Sequence, residues 1–116
     1  MSAPVNTVLD TSVDNTNQVV KVGGGQVLYL QITNGGTVDA YFQMFDALDA
    51  NVTVGTTTPK FSLLVPAGQS TTAVGAFEYN GPPINFEVGI IYACTTTAAG
   101  GTNPTVKPVL NLMVWK

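Results

Sequence analysis

The sequence contains no histidine and no arginine, and it has few charged side chains of any kind. Four lysines and seven carboxylates are its only side chains that are charged at neutral pH, among 116 residues. Histidine is the usual general base near neutral pH, and arginine is the usual bidentate ligand of phosphate and carboxylate groups. We therefore expect no catalytic residues and no enzymatic activity. No motif for a cofactor is present, so no cofactor is expected.

The scarcity of positive charge also bears on the partners of the chain. Its formal net charge is -3, whereas affinity for nucleic acid depends on lysines and arginines that neutralise phosphates. The longest apolar runs are too short to span a bilayer, and the first residues lack the basic and apolar regions of a signal peptide. We expect neither nucleic acid nor a membrane as a partner.

Thiol and metal chemistry are equally poorly represented. The single cysteine, Cys94, has no intramolecular partner and lies in an apolar run, so we expect a small buried side chain. Residues 46–51 cluster several side-chain oxygens, which are the ligands that calcium prefers. Their spacing is not that of an EF-hand, and Asp and Asn are ordinary turn residues. The sequence therefore predicts no metal site.

The sequence does contain a succession of short apolar segments separated by Gly, Pro and Asn. Such segments are typical of strands and turns, and none has the spacing of an amphipathic helix. The predicted strands are residues 5–10, 18–22, 26–33, 39–46, 60–65, 70–77, 84–95 and 106–115. The pattern predicts an all-β fold, an antiparallel β-sandwich of seven or eight strands that is jelly-roll-like or immunoglobulin-like.

Three consecutive glycines at residues 23–25 divide the chain unequally. Residues 26–116 are predicted to form the β-sandwich domain. Residues 1–22 fit two descriptions, since alternating valines and polar residues suit either an arm that adds a strand to a neighbour's sheet or the first strands of the same sandwich. The sequence leaves both open.

Several predicted strands are apolar on both faces, although an antiparallel sheet with one wet face should alternate. Either strands bend or loops cover the outer face, or these faces contact other proteins. Interfaces are enriched in aromatic residues and Met and depleted in charge. The interface candidates on these faces are Val27, Tyr29, Tyr41, Phe45, Val109, Met113 and Trp115. The residues that alternate with them are predicted to face the core: Leu28, Leu30, Ile32, Phe42, Met44, Leu110, Leu112 and Val114.

The order of short segments from residue 26 onwards resembles that of small β-sandwich virion structural proteins of tailed bacteriophages, of the capsid decoration or cement type. An aromatic strand is followed by Val-Gly-Thr, a Thr-Pro step, a Pro-Ala-Gly turn, a Gly-containing strand with Tyr-Ala-Cys-Thr-Thr, and a final strand. These segments are residues 40–46, 54–56, 58–59, 65–68, 88–98 and 109–112.

The resemblance implies a structural protein that is synthesised in the host cytoplasm and lies on the outer capsid surface of the virion. As a homo-oligomer, a dimer or a trimer, it would bind the major capsid protein and stabilise the icosahedral shell. The alternative is a tail, fibre or collar component that binds a host-surface glycan through residues 47–59 and 95–104.

Overall fold

The structure, a computed structural model, describes residues 5–74 and 84–115, and strands dominate them. The short turn Asp49–Asn51 is a 3-10 helix, and residues 5–74 and 84–115 contain no α-helix. The predicted all-β class is therefore confirmed. The strands are β1 (Val5–Asp10), β2 (Gln18–Val22), β3 (Gly25–Thr33), β4 (Ala40–Phe45), β5 (Phe61–Val65), β6 (Ser70–Val74), β7 (Ile84–Phe86), β8 (Gly89–Thr95) and β9 (Val109–Trp115).

The strands form two antiparallel sheets. Sheet I has the order β1-β9-β3-β6, with β7 also paired to β3, and sheet II has the order β2-β8-β4-β5. β6 pairs with the second half of β3 and β7 with its first half, both antiparallel to it. They therefore occupy one strand position, and the nine segments fill eight positions of a β-sandwich, as predicted.

The strand order decides between the two topologies that the sequence left open. In an immunoglobulin sandwich the first two strands lie in the same sheet, whereas here β1 and β2 lie in different sheets. The chain alternates between the sheets over its first four strands, and its last two strands return beside the first two. This is the order of a jelly roll.

The core between the sheets is made of side chains that alternate along the strands. Its buried members are Val13, Val27, Leu30, Ile32, Ala40, Phe42, Met44, Val65, Phe86, Ile90, Tyr92, Cys94, Leu110, Leu112 and Val114. The alternation predicted the inward faces of β4 and β9 correctly. Cys94 is buried, as expected, and desolvation raises the pKa of its thiol to about 12.

A bulge in β3 corrects the face predicted for Val27. The register between β3 and β9 shifts between Val27 and Tyr29, so Leu28 is an additional residue. Because a bulge puts two residues opposite one, alternation changes face at this point. Leu30 and Ile32 face the core as predicted, but Val27, expected on the outer face, is also in the core and is 0% exposed.

Two further segments complete the comparison with the predicted strands. Residues 84–95, predicted as one strand, form β7 in sheet I and β8 in sheet II, because the chain crosses between the sheets at residues 87–88. Within residues 1–22, β1 pairs with β9 and β2 pairs with β8 of the same chain. Both segments therefore lie in the sandwich.

Candidate interaction surface

The outer face of sheet II is covered over its central strands, β4 and β8, by loops of the chain itself, whereas Val19 and Leu64 on its edge strands stay exposed. Phe45 and Ile91 point away from the core and pack with Val52 and Ala93 in a second apolar cluster. Val52 belongs to the loop that follows β4, which folds back over the sheet. Phe45 is consequently only 1% exposed, and the expectation that it lies on an accessible face is corrected.

A buried glutamine fixes a second loop on the same sheet. The Nε2 atom of Gln43 donates to Thr95 Oγ1 at 2.7 Å and to the carbonyl oxygens of Gly100 at 3.1 Å and Thr97 at 3.3 Å. Gln43 is 0% exposed, and its Oε1 atom has no hydrogen-bond partner in the described part of the chain. The loop after β8 is thereby held against sheet II.

Asp46 anchors the crossing between β7 and β8. Its carboxylate accepts hydrogen bonds from the backbone N–H groups of Glu87, Val88 and Gly89, at distances from 2.7 to 3.3 Å. Desolvation raises the pKa of Asp46, but these hydrogen bonds and the charge of Lys60 together outweigh it and lower the pKa below 3.8.

Residues 5–74 and 84–115 contain no group of three Cys, Asp or Glu side chains that could hold a metal ion.

The outer face of sheet I, in contrast, is open. A shallow groove of about 460 Å³ runs across β1, β9 and β3. Its lining residues are all uncharged: Thr7, Val8, Leu9, Tyr29, Gln31, Asn111, Leu112 and Met113. Leu9 is 67% exposed and Trp115, on the same strand as Met113, is 38% exposed. The face combines apolar and aromatic side chains with neutral polar ones.

Strand pairing brings these residues together from distant parts of the sequence. On β9, the core takes Leu110, Leu112 and Val114, which leaves the alternate residues on the outer face. Met113 lies opposite Tyr29 of β3, and Asn111 lies opposite Leu9 of β1. We name the outer surface made by Thr7, Leu9, Tyr29, Gln31, Val109, Asn111, Met113 and Trp115 the sheet I face.

The seven interface candidates fall into three groups. Four lie on the sheet I face, where the structure brings them together: Tyr29, Val109, Met113 and Trp115. Tyr41 is half-buried on sheet II, opposite Leu64 and Thr95. Val27 and Phe45 are buried and offer no accessible surface. The contact role of the other five stays a prediction.

Leu9 was not among the candidates, although it is the most exposed apolar side chain in the groove. Its segment, Val-Asn-Thr-Val-Leu-Asp, places Val8 and Leu9 side by side, so the valine pattern alone does not show which of the two faces outward. Only the pairing of β1 with β9 reveals which side chains share the outer face.

The loops considered for glycan binding gain no support from the structure. The loop after β4 packs over sheet II through Val52 and Val54, and the loop after β8 is held by Gln43. Tyr79, whose ring could stack on a sugar, and Glu78, a carboxylate that a glycoside hydrolase would need with a second one, lie outside the described residues. A cavity of about 80 Å³ at one end of the sandwich is bordered by Asn34 and Val106. The Nδ2 atom of Asn34 already donates hydrogen bonds to the carbonyl oxygens of Val38 and Val65.

Comparison with known proteins gives no relative from which a function could be transferred: no family model, no curated protein and no solved structure matches the chain significantly. Within the described ranges, no helix has the length and apolar character needed to cross a membrane.

Proposed function

We propose that the protein is a structural virion component, a capsid decoration or cement protein. It acts through contacts between its sheet I face and neighbouring proteins. The observation that carries the proposal is the contrast between the two outer faces. Loops of the chain cover Phe45 and Ile91 at the centre of sheet II, whereas the centre of the sheet I face is open, uncharged along its groove, and carries Leu9, Tyr29 and Met113. Aromatic residues and Met are enriched in protein interfaces and charge is depleted.

The chemistry of this face suits burial against another protein. No charge has to be desolvated along the groove, and removing a charge from water costs several kcal/mol. Each Å² of apolar surface removed from water contributes roughly 25 cal/mol, before the entropic cost of association. The face is also built on paired strands, so little backbone has to be ordered on binding.

The resemblance of residues 26–116 to phage virion proteins supplies the setting for this chemistry. It makes the major capsid protein the proposed partner and the outer capsid surface the proposed location. A homo-oligomer bound between capsid subunits would stabilise the shell by bridging them, without enzymatic activity and without a cofactor.

Cosedimentation of the purified protein with capsids that lack it tests the proposal. We expect the wild type to bind and to raise the temperature at which the capsids disrupt. Met113→Lys should weaken binding by about tenfold, because it would bury an unpaired charge. Leu48→Lys is the matched control, since Leu48 is 45% exposed and lies away from the sheet I face.

Two results would overturn the proposal. One is a folded wild-type protein that fails to bind such capsids. The other is equal binding by the wild type and Met113→Lys, with circular dichroism showing that the variant is folded. In either case the sheet I face would not be the contact with the shell.

A further inference from the structure

Three of the four sheet edges are protected against pairing with another chain. Proteins block such edges with bulges, lysines, prolines or covering segments. β2 has a register shift between Val19 and Lys21 and carries that lysine. On β5, the carbonyl oxygen of Leu64 accepts a hydrogen bond from Thr71 Oγ1 at 2.7 Å. The fourth edge is divided between two short strands, β6 and β7, which pair with different halves of β3.

β1 has none of these protections. It pairs with β9 over six consecutive positions, from Val5 opposite Trp115 to Asp10 opposite Leu110, without a register shift. It contains no lysine and no proline, and within the described ranges no strand pairs with its other side. An edge strand of this kind presents unpaired N–H and C=O groups to an incoming extended chain.

We propose that β1 pairs edge to edge with β1 of a second copy of this chain, so that two copies of sheet I form one continuous antiparallel sheet. The two-fold axis is perpendicular to the sheet and passes beside Thr7, which lies opposite its own counterpart. The proposal rests on the proposed function, that of an assembly protein, and deepens it by naming the edge of self-association.

The charge pattern of β1 favours a second copy as the occupant. An isologous contact places a strand against itself, and like charges directly opposite each other are destabilising. Residues 5–9 have no ionisable side chain. The single charged residue, Asp10, lies at the end of the strand and is held by Tyr92 and Ser12.

The same residues select the register centred on Thr7. Pairing about Thr7 uses residues 5–9 and leaves Asp10 outside. It also places Leu9, which is 67% exposed, inside the paired segment, where contacts between side chains on adjacent strands contribute to sheet stability. Two sheet I faces would then join into one surface eight strand positions wide.

A disulfide cross-link tests the register directly, in a Cys94→Ala background that removes the native thiol. Opposed residues of antiparallel strands have Cβ atoms about 4.5–5.5 Å apart, close to the range that a disulfide spans. Thr7→Cys should therefore form covalent dimers under mild oxidation. Asn111→Cys, on the same face but one strand further in, is the control and should stay monomeric.

The unmodified protein provides the second test. We expect analytical ultracentrifugation to show a concentration-dependent dimer and hydrogen exchange in β1 to slow as that dimer forms. Thr7→Lys opposes two ammonium groups and should weaken the dimer by about fivefold. Cross-linking of Thr7→Cys no faster than that of Asn111→Cys, or a wild type that is monomeric at every concentration, would overturn the edge pairing.

Capsid binding separates this proposal from the function on which it rests. A monomer that binds capsids would refute the pairing of β1 and keep the role on the shell. A β1-linked dimer that does not bind capsids would keep the pairing and refute the role on the shell.

Discussion

Tyr92 donates a hydrogen bond to the carboxylate of Asp10 from the opposite sheet, with 2.7 Å between the two oxygen atoms. Tyr92 belongs to β8 of sheet II, and Asp10 is the last residue of β1 in sheet I. The ring of Tyr92 also packs against Phe42, with 5.6 Å between ring centroids. This bond therefore ties the exposed edge strand β1 to the core of the other sheet.

Removing the Tyr92 hydroxyl should destabilise the fold measurably. Tyr92→Phe keeps the ring but loses a hydrogen bond to a charged group, which we expect to cost about 2 kcal/mol in the free energy of unfolding by urea. Tyr29→Phe is the matched control, because the structure shows no side-chain hydrogen bond of Tyr29 to any described residue. Equal effects of the two substitutions would show that the bond contributes nothing.

Tyr92 should also make stability depend on alkaline pH. Burial, followed by the hydrogen bond to Asp10 and the charges of Asp10 and Asp14, raises the pKa of Tyr92 above its ordinary value of 10.0. A raised pKa contributes stability below pH 10.0 that is lost as the pH rises towards the folded-state value. The wild type should lose stability more steeply than Tyr92→Phe above pH 10.0, measured as unfolding free energy against pH.

Asp46 should make stability depend on acidic pH in the opposite sense. Its lowered pKa gives a contribution that is present above 3.8 and lost as the pH falls through the folded-state value. Asp46→Asn should cost about 2 kcal/mol at neutral pH and should flatten the acid limb of the stability curve. Asp49→Asn, at an exposed position, should leave both unchanged. An acid limb that persists in Asp46→Asn would contradict this role.

How far the sequence determines the fold is clearest at the strands themselves. The segments predicted at residues 5–10 and 18–22 coincide with β1 and β2, because turn residues bound them on both sides. Alternation also identified the inward residues of β9. It failed for Val27, because a bulge depends on pairing with β9 and leaves no mark in the local sequence.

The candidate surface was predictable to a similar extent. Alternation placed Tyr29, Met113 and Trp115 on an outer face, where they are found. It could not show that a loop covers Phe45, because periodicity describes a strand and not the segment that folds over it. It also missed Leu9, whose face is set by its pairing with Asn111.

Gly89 is predicted to tolerate no side chain. A Cβ atom added at this residue would clash with the carbonyl oxygen of Ala47, and the Gly89 N–H donates a hydrogen bond to Asp46. Gly89→Ala should cost about 3 kcal/mol through overpacking, measured by urea unfolding. Gly35→Ala is the matched control, since nothing lies within 4 Å of its added Cβ, and it should change stability by less than about 0.5 kcal/mol.

Gln43 should be sensitive to a change that preserves its size. Gln43→Glu removes the amide donors and turns a carboxyl group towards the oxygens of Thr95, Thr97 and Gly100. Burying an uncompensated charge at a position that is 0% exposed should cost about 3–5 kcal/mol at neutral pH. Gln31→Glu makes the same change at a partly exposed position and should cost less than about 1 kcal/mol.

The pH dependence of Gln43→Glu separates the charge from a general packing defect. Burial should raise the pKa of the introduced carboxyl above its unfolded value of about 4.3. The variant is then most stable below that value, relative to the wild type, and loses stability as the pH rises through the folded-state pKa. A deficit that stays constant over this range would mean that the lost hydrogen bonds, and not the buried charge, destabilise the loop held by Gln43.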